Sequence, residues 1–203
     1  MDKKAHWEDV YRKKKVDEVS WYQPQPGLSL HMIAAAKLDR DAAIIDVGGG
    51  ASQLIDNLIM QGYANLSVLD ISGEALKCAK ERIGSSGQNV QWIESNITDF
   101  NPRQKFQFWH DRAVFHFLTN PEERLRYLEV MNESLASGAY VMIATFAPDG
   151  PEKCSGLPVQ RYSHESLQQT LGPAYKMVVH EQETHLTPAG GQQKFIYVLF
   201  RKI

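Results

Sequence analysis

The chain has 203 residues, 43% apolar and 23% charged, with a formal charge of -2. That length and balance fit one globular domain with a full hydrophobic core. They give no broad basic field for nucleic acid, no window near the roughly 20 apolar residues of a membrane span, and no apolar leader after Met1. Cys78 and Cys154 stand far apart and outside any metal-ligand pattern, so neither a disulfide framework nor a metal is expected and a cytoplasmic location is. Oligomeric state is left open.

Before residue 40 the sequence reads as two helices around the segment Val19–Pro26, a helical cap on the rest. Ala42–Val47 reads as a buried strand ending in glycines. Ser52–Met60 then carries Leu54, Ile55, Leu58 and Ile59 at helical spacing. Leu66–Leu69 is a second strand, Ser72–Ile83 a helix closed near Gly84, Val90–Glu94 a third strand and Phe106–His110 a fourth. Pro121 opens a helix behind Asn120 as N-cap, and Tyr140–Phe146 is a fifth strand. Ala147–Arg161 is rich in Pro and Gly and reads as a long loop. Ser163–Leu171 is a short helix. Tyr175–Glu183 and Lys194–Arg201 then form a hairpin around Thr187–Gly191. The alternation predicts an α/β fold: a doubly wound, Rossmann-like, mostly parallel sheet of seven strands with an antiparallel C-terminal hairpin, all in one domain over 1–203.

The strongest local signal is Ile45-Asp46-Val47-Gly48-Gly49-Gly50, a strand running into a glycine turn before a helix. Glycine lets backbone approach a ligand closely, and the helix start offers free N–H groups. Asp70 ends the next strand, where a carboxylate can accept from ribose hydroxyls. A dinucleotide fingerprint needs a third glycine where Gln53 stands, which argues against NAD. The phosphate-loop lysine motif is absent too.

Asp46-x-Gly48-x-Gly50 followed by Asp70 resembles the first two motifs of class I S-adenosylmethionine (SAM) dependent methyltransferases. Glu94–Asp99, Phe108–Leu118 and the closing hairpin resemble the family's later landmarks. His6–Tyr11 resembles the W-x-x-x-Y opening of small bacterial members and related protein-lysine methyltransferases. The resemblance implies SAM as cofactor and S-adenosylhomocysteine (SAH) as product. It puts Gly48 and Gly49 at the methionine end, with Gly50 in the same cofactor-binding turn and Asp46 ordering that turn or holding the amino group through water. Asp70 would take the ribose, Ile71, Asn96 and Ile97 the adenine, and His110 a place under the cofactor. Asn96 replaces a common acid, and its carbonyl can still accept from the adenine amino group. Tyr11, Trp21 and Tyr22 would close over the cofactor, with ordinary packing as the alternative.

Methyl transfer needs an aligned nucleophile, and a base only if the acceptor must lose a proton first. Asp111 and His116, after the fourth strand, are the candidate catalytic residues. The alternatives are an Asp111–Arg112 ion pair and a satisfied core histidine. Residues 147–162 would form a lid, with Arg161 and Tyr162 toward the acceptor. His185 and Gln192 read as surface or turn residues. A small-molecule acceptor is expected. The alternatives are a protein lysine, SAM binding without catalysis, and nicotinamide chemistry.

Overall fold

The computed structural model describes residues 2–203. Helix α1 (Lys3–Lys13) is capped by Asp2, whose carboxylate accepts from the Lys4 and Ala5 N–H groups, and α2 (Gly27–Ala35) follows after the Trp21 segment. Strand β1 (Ile44–Val47) leads through the glycine turn to α3 (Leu54–Met60), and β2 (Leu66–Asp70) to α4 (Gly73–Ile83). Ser72 caps α4 by accepting from Ala75 N–H, and Gly84 stops it at φ +57°, a conformation that glycine takes without strain. Strands β3 (Gln91–Glu94) and β4 (Phe106–Arg112) precede α5 (Pro121–Ser134). There Asn120 accepts from Glu122 N–H and Pro121 sits in the first turn, as the sequence predicts. Strand β5 is Leu135–Phe146, α6 is His164–Leu171, and β8 (Tyr175–Leu186) and β9 (Gln192–Lys202) close the sheet.

The sheet has seven strands in the order β3-β2-β1-β4-β5-β9-β8. β1 through β5 pair in parallel, while β9 lies antiparallel between β5 and β8. Helices cover both faces. On one, Tyr127, Val130 and Met131 of α5 and Leu167 of α6 pack against Trp109 and Val141. On the other, Met32, Leu54, Leu58 and Leu76 of α2, α3 and α4 pack against Ile44, Phe108 and Met142. The chain leaves β1 toward β2 on one side and returns to β4 on the other. The order reverses there, which opens a crevice at the carboxyl ends of β1 and β4.

Several boundaries differ from the sequence reading, each for a reason of pairing. β5 begins at Leu135 rather than Tyr140 because Leu135 already pairs with Phe106 before a register shift. The expected long loop after β5 contains a small hairpin, β6 (Lys153–Cys154) and β7 (Leu157–Pro158). Its turn, Ser155-Gly156, has φ values of +50° and +80°, the geometry that a two-residue hairpin favours. β8 and β9 both run further toward their shared turn than hydrophobic alternation indicates, because backbone pairing continues to Leu186 and Gln192. His185, expected at the surface, is buried, with Nε2 2.8 Å from the Ser20 carbonyl.

Candidate functional site

The glycine turn sits at the mouth of the crevice. Gly48 has φ +67° and Gly50 φ +44°, both in the left-handed region. Gly48 N–H donates to the Leu69 carbonyl at 2.6 Å, which ties the turn to the end of β2. A Cβ at Gly48 would run into Val114 Cγ2, and one at Gly50 would lie 2.8 Å from Asp70 Oδ2 and 3.0 Å from the Tyr11 hydroxyl. The turn is thus pressed between β4's exit, Asp70 and α1, and side chains there would fill the space.

Asp46 lies just before the turn, buried, with Oδ1 2.7 Å from His110 Nδ1. His110 Nε2 is 2.9 Å from Ser29 Oγ on α2, so β1, β4 and α2 are pinned through one imidazole. Asp46 Oδ2 has no hydrogen-bond partner. Asp70 accepts from Ser72 N–H through Oδ1 at 2.8 Å. Burial pushes its carboxyl up to about 7, with the Asp46 and Glu8 carboxylates adding to the effect and the Ser72 and Gly50 amides opposing it. Burial likewise pushes the Tyr11 phenol well above its ordinary range. Two carboxyl groups with spare acceptor capacity therefore face a site that offers them few donors.

A cavity of about 820 Å³, including its open mouth, occupies the crevice. Asp70, Ile71, Asn96 and Ile97 line it, and so do Trp7, Trp21 and Phe117. A second, smaller one touches Asp46, Gly48, Gly49, Tyr22 and His110. Tyr11 and Trp21 border both. Asn96 Oδ1 already accepts from Thr98 N–H at 3.3 Å, which leaves one lone pair for a base amino group. Helix α1 crosses the opening. Glu8 accepts from Gly73 N–H at 2.7 Å, and Lys3 and Lys4 pair with Glu123 at 2.7 Å and Glu94 at 2.6 Å.

The sequence reading assigns no role to Trp7. Its ring meets Trp21 edge-on at 5.5 Å and Phe117 at 5.2 Å, forming the aromatic wall. The W-x-x-x-Y spacing held the signal, since residues four apart share one helix face and put Trp7 above Tyr11.

Asp111 and His116, the sequence's catalytic candidates, lie in the core and line neither cavity. The strand period explains Asp111. His110 and Arg112 point to one face, and Asp111 to the other, where Tyr127 OH donates to it at 2.6 Å and the Val114 and Phe115 amides at 2.9 and 3.2 Å. It therefore forms no ion pair with Arg112. Burial raises its carboxyl to about 6 despite those bonds. His116 packs between Phe117 and Phe146, and Phe146 N–H donates to its Nδ1 at 3.4 Å. Burial, helped by the Arg112 charge, lowers it to about 3, so it stays neutral.

Arg161 donates to the Gly150 carbonyl and to Glu152 within its own loop, both at 3.2 Å, and Tyr162 is buried against Phe115. Of the loop, Cys154 reaches the larger cavity, as does Arg112 from β4. Among the described residues no three His, Cys, Asp or Glu side chains gather as a metal site.

The residues present fit SAM. The unpartnered Asp46 oxygen, the under-donated Asp70 carboxyl and the apolar slot of Ile71 and Ile97 match an ammonium, a ribose and an adenine in turn. Residues 44–138 match the family model described as a methyltransferase domain. The chain is similar to malonyl-[acyl-carrier protein] O-methyltransferase 2 of Ilyobacter polytropus, 25% identical over 69% of this chain and 57% of that protein. It is also similar to EEF1A lysine methyltransferase 2 of Mus musculus, 21% identical over 70% of this chain and 64% of that one. It thus spans less than two thirds of the length of these curated relatives. The fold matches that of a Burkholderia thailandensis 1,6-didemethyltoxoflavin-N1-methyltransferase solved with bound 1,6-didemethyltoxoflavin and SAH, with a TM-score of 0.75 at 16% identity over 98% of this chain and 86% of that one.

Proposed function

We propose that this chain, which belongs to the class I SAM-dependent methyltransferase family, transfers a methyl group from SAM to a small-molecule acceptor held against its aromatic wall. The observation that carries the reading is a single cavity lined both by Asp70 and Asn96 and by Trp7, Trp21 and Phe117. A cofactor and an acceptor can lie end to end there, as an in-line displacement requires.

SAM supplies the electrophilic methyl carbon and its own leaving group. The protein's part is binding and alignment. Asp70 holds the ribose hydroxyls, and Ile71 and Ile97 pack on the base with Asn96 at its polar edge. Asp46, fixed by His110, offers its free oxygen to the amino group. Trp7, Tyr11 and Trp21 exclude water around the reacting groups, and their faces favour the sulfonium cation. Cys154, beside the aromatic side chains of the cavity lining, is no base near neutral pH: burial pushes its thiol up to about 11. Acceptors that arrive with a free lone pair or a preformed anion suit such a site.

A protein lysine is the second reading. The curated lysine methyltransferase named above supports it, and the same aromatic wall would suit an alkylamine stem. Radiolabelled SAM incubated with the protein and either a metabolite fraction or a protein fraction of cell extract separates the two. Label only in protein would refute the small-molecule reading.

A further inference from the structure

We infer that Arg112 anchors an anionic oxygen group, such as a carboxylate, on the acceptor. The inference rests on the reading of this cavity as a methyltransferase site and narrows its substrate class.

Arg112 is the last residue of β4 and lines both cavities. Its side chain is only 10% exposed. Nε donates to the Tyr197 hydroxyl at 2.7 Å and Nη1 to the Trp21 carbonyl at 3.0 Å. Nη2 is buried with no hydrogen-bond partner. Among the described residues one carboxylate pairs with it, Glu183, which stands 3.8 Å away, beyond hydrogen-bond reach. Glu183 already accepts from Gln23 Nε2 at 2.9 Å and from the Tyr197 hydroxyl at 2.7 Å. The counter-charge is therefore present while the donor stays unfilled, and a buried guanidinium N–H left unpaired is costly. The Phe195 ring, 4.6 Å from the guanidinium carbon, helps to fix its plane.

Besides Glu183, neither Cys154 nor the nearby histidines add a competing anion. Cys154 remains a thiol, with its value pushed up to about 11, and burial keeps His116 and His185 neutral near pH 7. Planar, fixed and short of one acceptor, the guanidinium suits an oxyanion. Its direction favours the acceptor as the source. Arg112 leans toward Tyr197 on β9 and Glu183 on β8, on the far side of β4 from Asp70 and Asn96, where the nucleoside would lie. The sequence reading turned Arg161 toward the acceptor, but its guanidinium is engaged within its own loop. The rival source is the methionine carboxylate of the cofactor.

Calorimetry on the full chain tests this in two arms. First, SAH and 5′-methylthioadenosine, which lacks the amino-acid tail, are titrated into the wild-type protein and Arg112→Gln. Heat with SAH on the wild type establishes the cofactor site independently of Arg112; no heat would overturn the methyltransferase reading itself. Second, the SAH-saturated protein is titrated with phenylacetate and malonate and with their neutral amides. The acid of at least one pair should bind more tightly than its amide. Arg112→Gln should weaken that acid roughly tenfold or more, and Glu183→Gln, which removes the competing carboxylate, should tighten it. The opposite signs guard against a variant that merely misfolds. Equal binding of acid and amide in both pairs, or an acid preference that survives Arg112→Gln, overturns the proposal. So does Arg112→Gln erasing the difference between SAH and methylthioadenosine, which would assign the residue to the cofactor.

Discussion

Asp70→Asn should stabilise the ligand-free protein while weakening its hold on SAH. The carboxyl is held at about 7 in the folded chain against an ordinary 3.8. A raised acid contributes nothing adverse below its unfolded value, and stability is lost as pH climbs through the folded one. At about 1.36 kcal/mol per unit, the buried charge costs on the order of 4 kcal/mol well above pH 7. Asparagine keeps an oxygen for Ser72 N–H and removes the charge. The variant's gain should therefore grow from near nothing at pH 4 to a few kcal/mol at pH 8. SAH binding moves the opposite way. Ribose hydroxyls donate to an ionised carboxylate, and losing those bonds costs about 1.5–3 kcal/mol, more than tenfold in affinity. Wild-type affinity should also fall roughly tenfold for each pH unit below about 7, with a proton released on binding. Thermal melts across pH and calorimetry in two buffers of different ionisation heat read both effects. A variant whose gain is the same at every pH, or whose SAH affinity is unchanged, would refute the reasoning.

Gly48→Ala places a Cβ against Val114 at φ +67°; melting should show a loss of about 1–3 kcal/mol, with SAH binding abolished. His116→Leu strips the Phe146 amide of its acceptor and should cost about 1–3 kcal/mol in denaturant titrations. Turnover per folded molecule should hold, and loss of the acidic, ascending limb from the kcat–pH profile would restore His116 as a base. Hydrogen exchange should slow over residues 147–162 when SAH and acceptor are both bound, if that loop closes on the acceptor. Arg161→Ala should then lower turnover more than SAH affinity, whereas equal protection with a silent substitution would leave the loop a passive surface.

What the sequence revealed divides along physical lines. Strand-turn-helix order, Asn120 and Ser72 as caps, and the glycine turn with Asp70 are local features, written in adjacent residues, and the fold follows them. The side-chain partners of Asp111 and Arg112 are not local. Adjacent in the chain, they face opposite sides of the sheet, so one joins Tyr127 and the other Tyr197. Strand period alone predicted that split, but the charge pair Asp-Arg invited a contact that pleating forbids. His116 was ambiguous because burial, which decides its protonation, depends on Phe146, a residue of another strand. The hairpin of residues 153–158 was hidden because its strands are only two residues each, while its turn signal, Ser-Gly, was present.

β9 sits between β5 and β8, yet it follows every other strand along the chain. During synthesis, therefore, β1 through β5 can assemble while the free edge of β5 waits for a partner still to be made. β8 cannot dock first, because its own neighbour in the sheet is β9. The inner residues of that waiting edge, Val141 to Phe146, are fully buried in the finished molecule and would be exposed until β9 arrives. An open apolar strand edge is a template for pairing with other chains. Chains cut within β9 should thus fail by aggregation rather than by mild destabilisation.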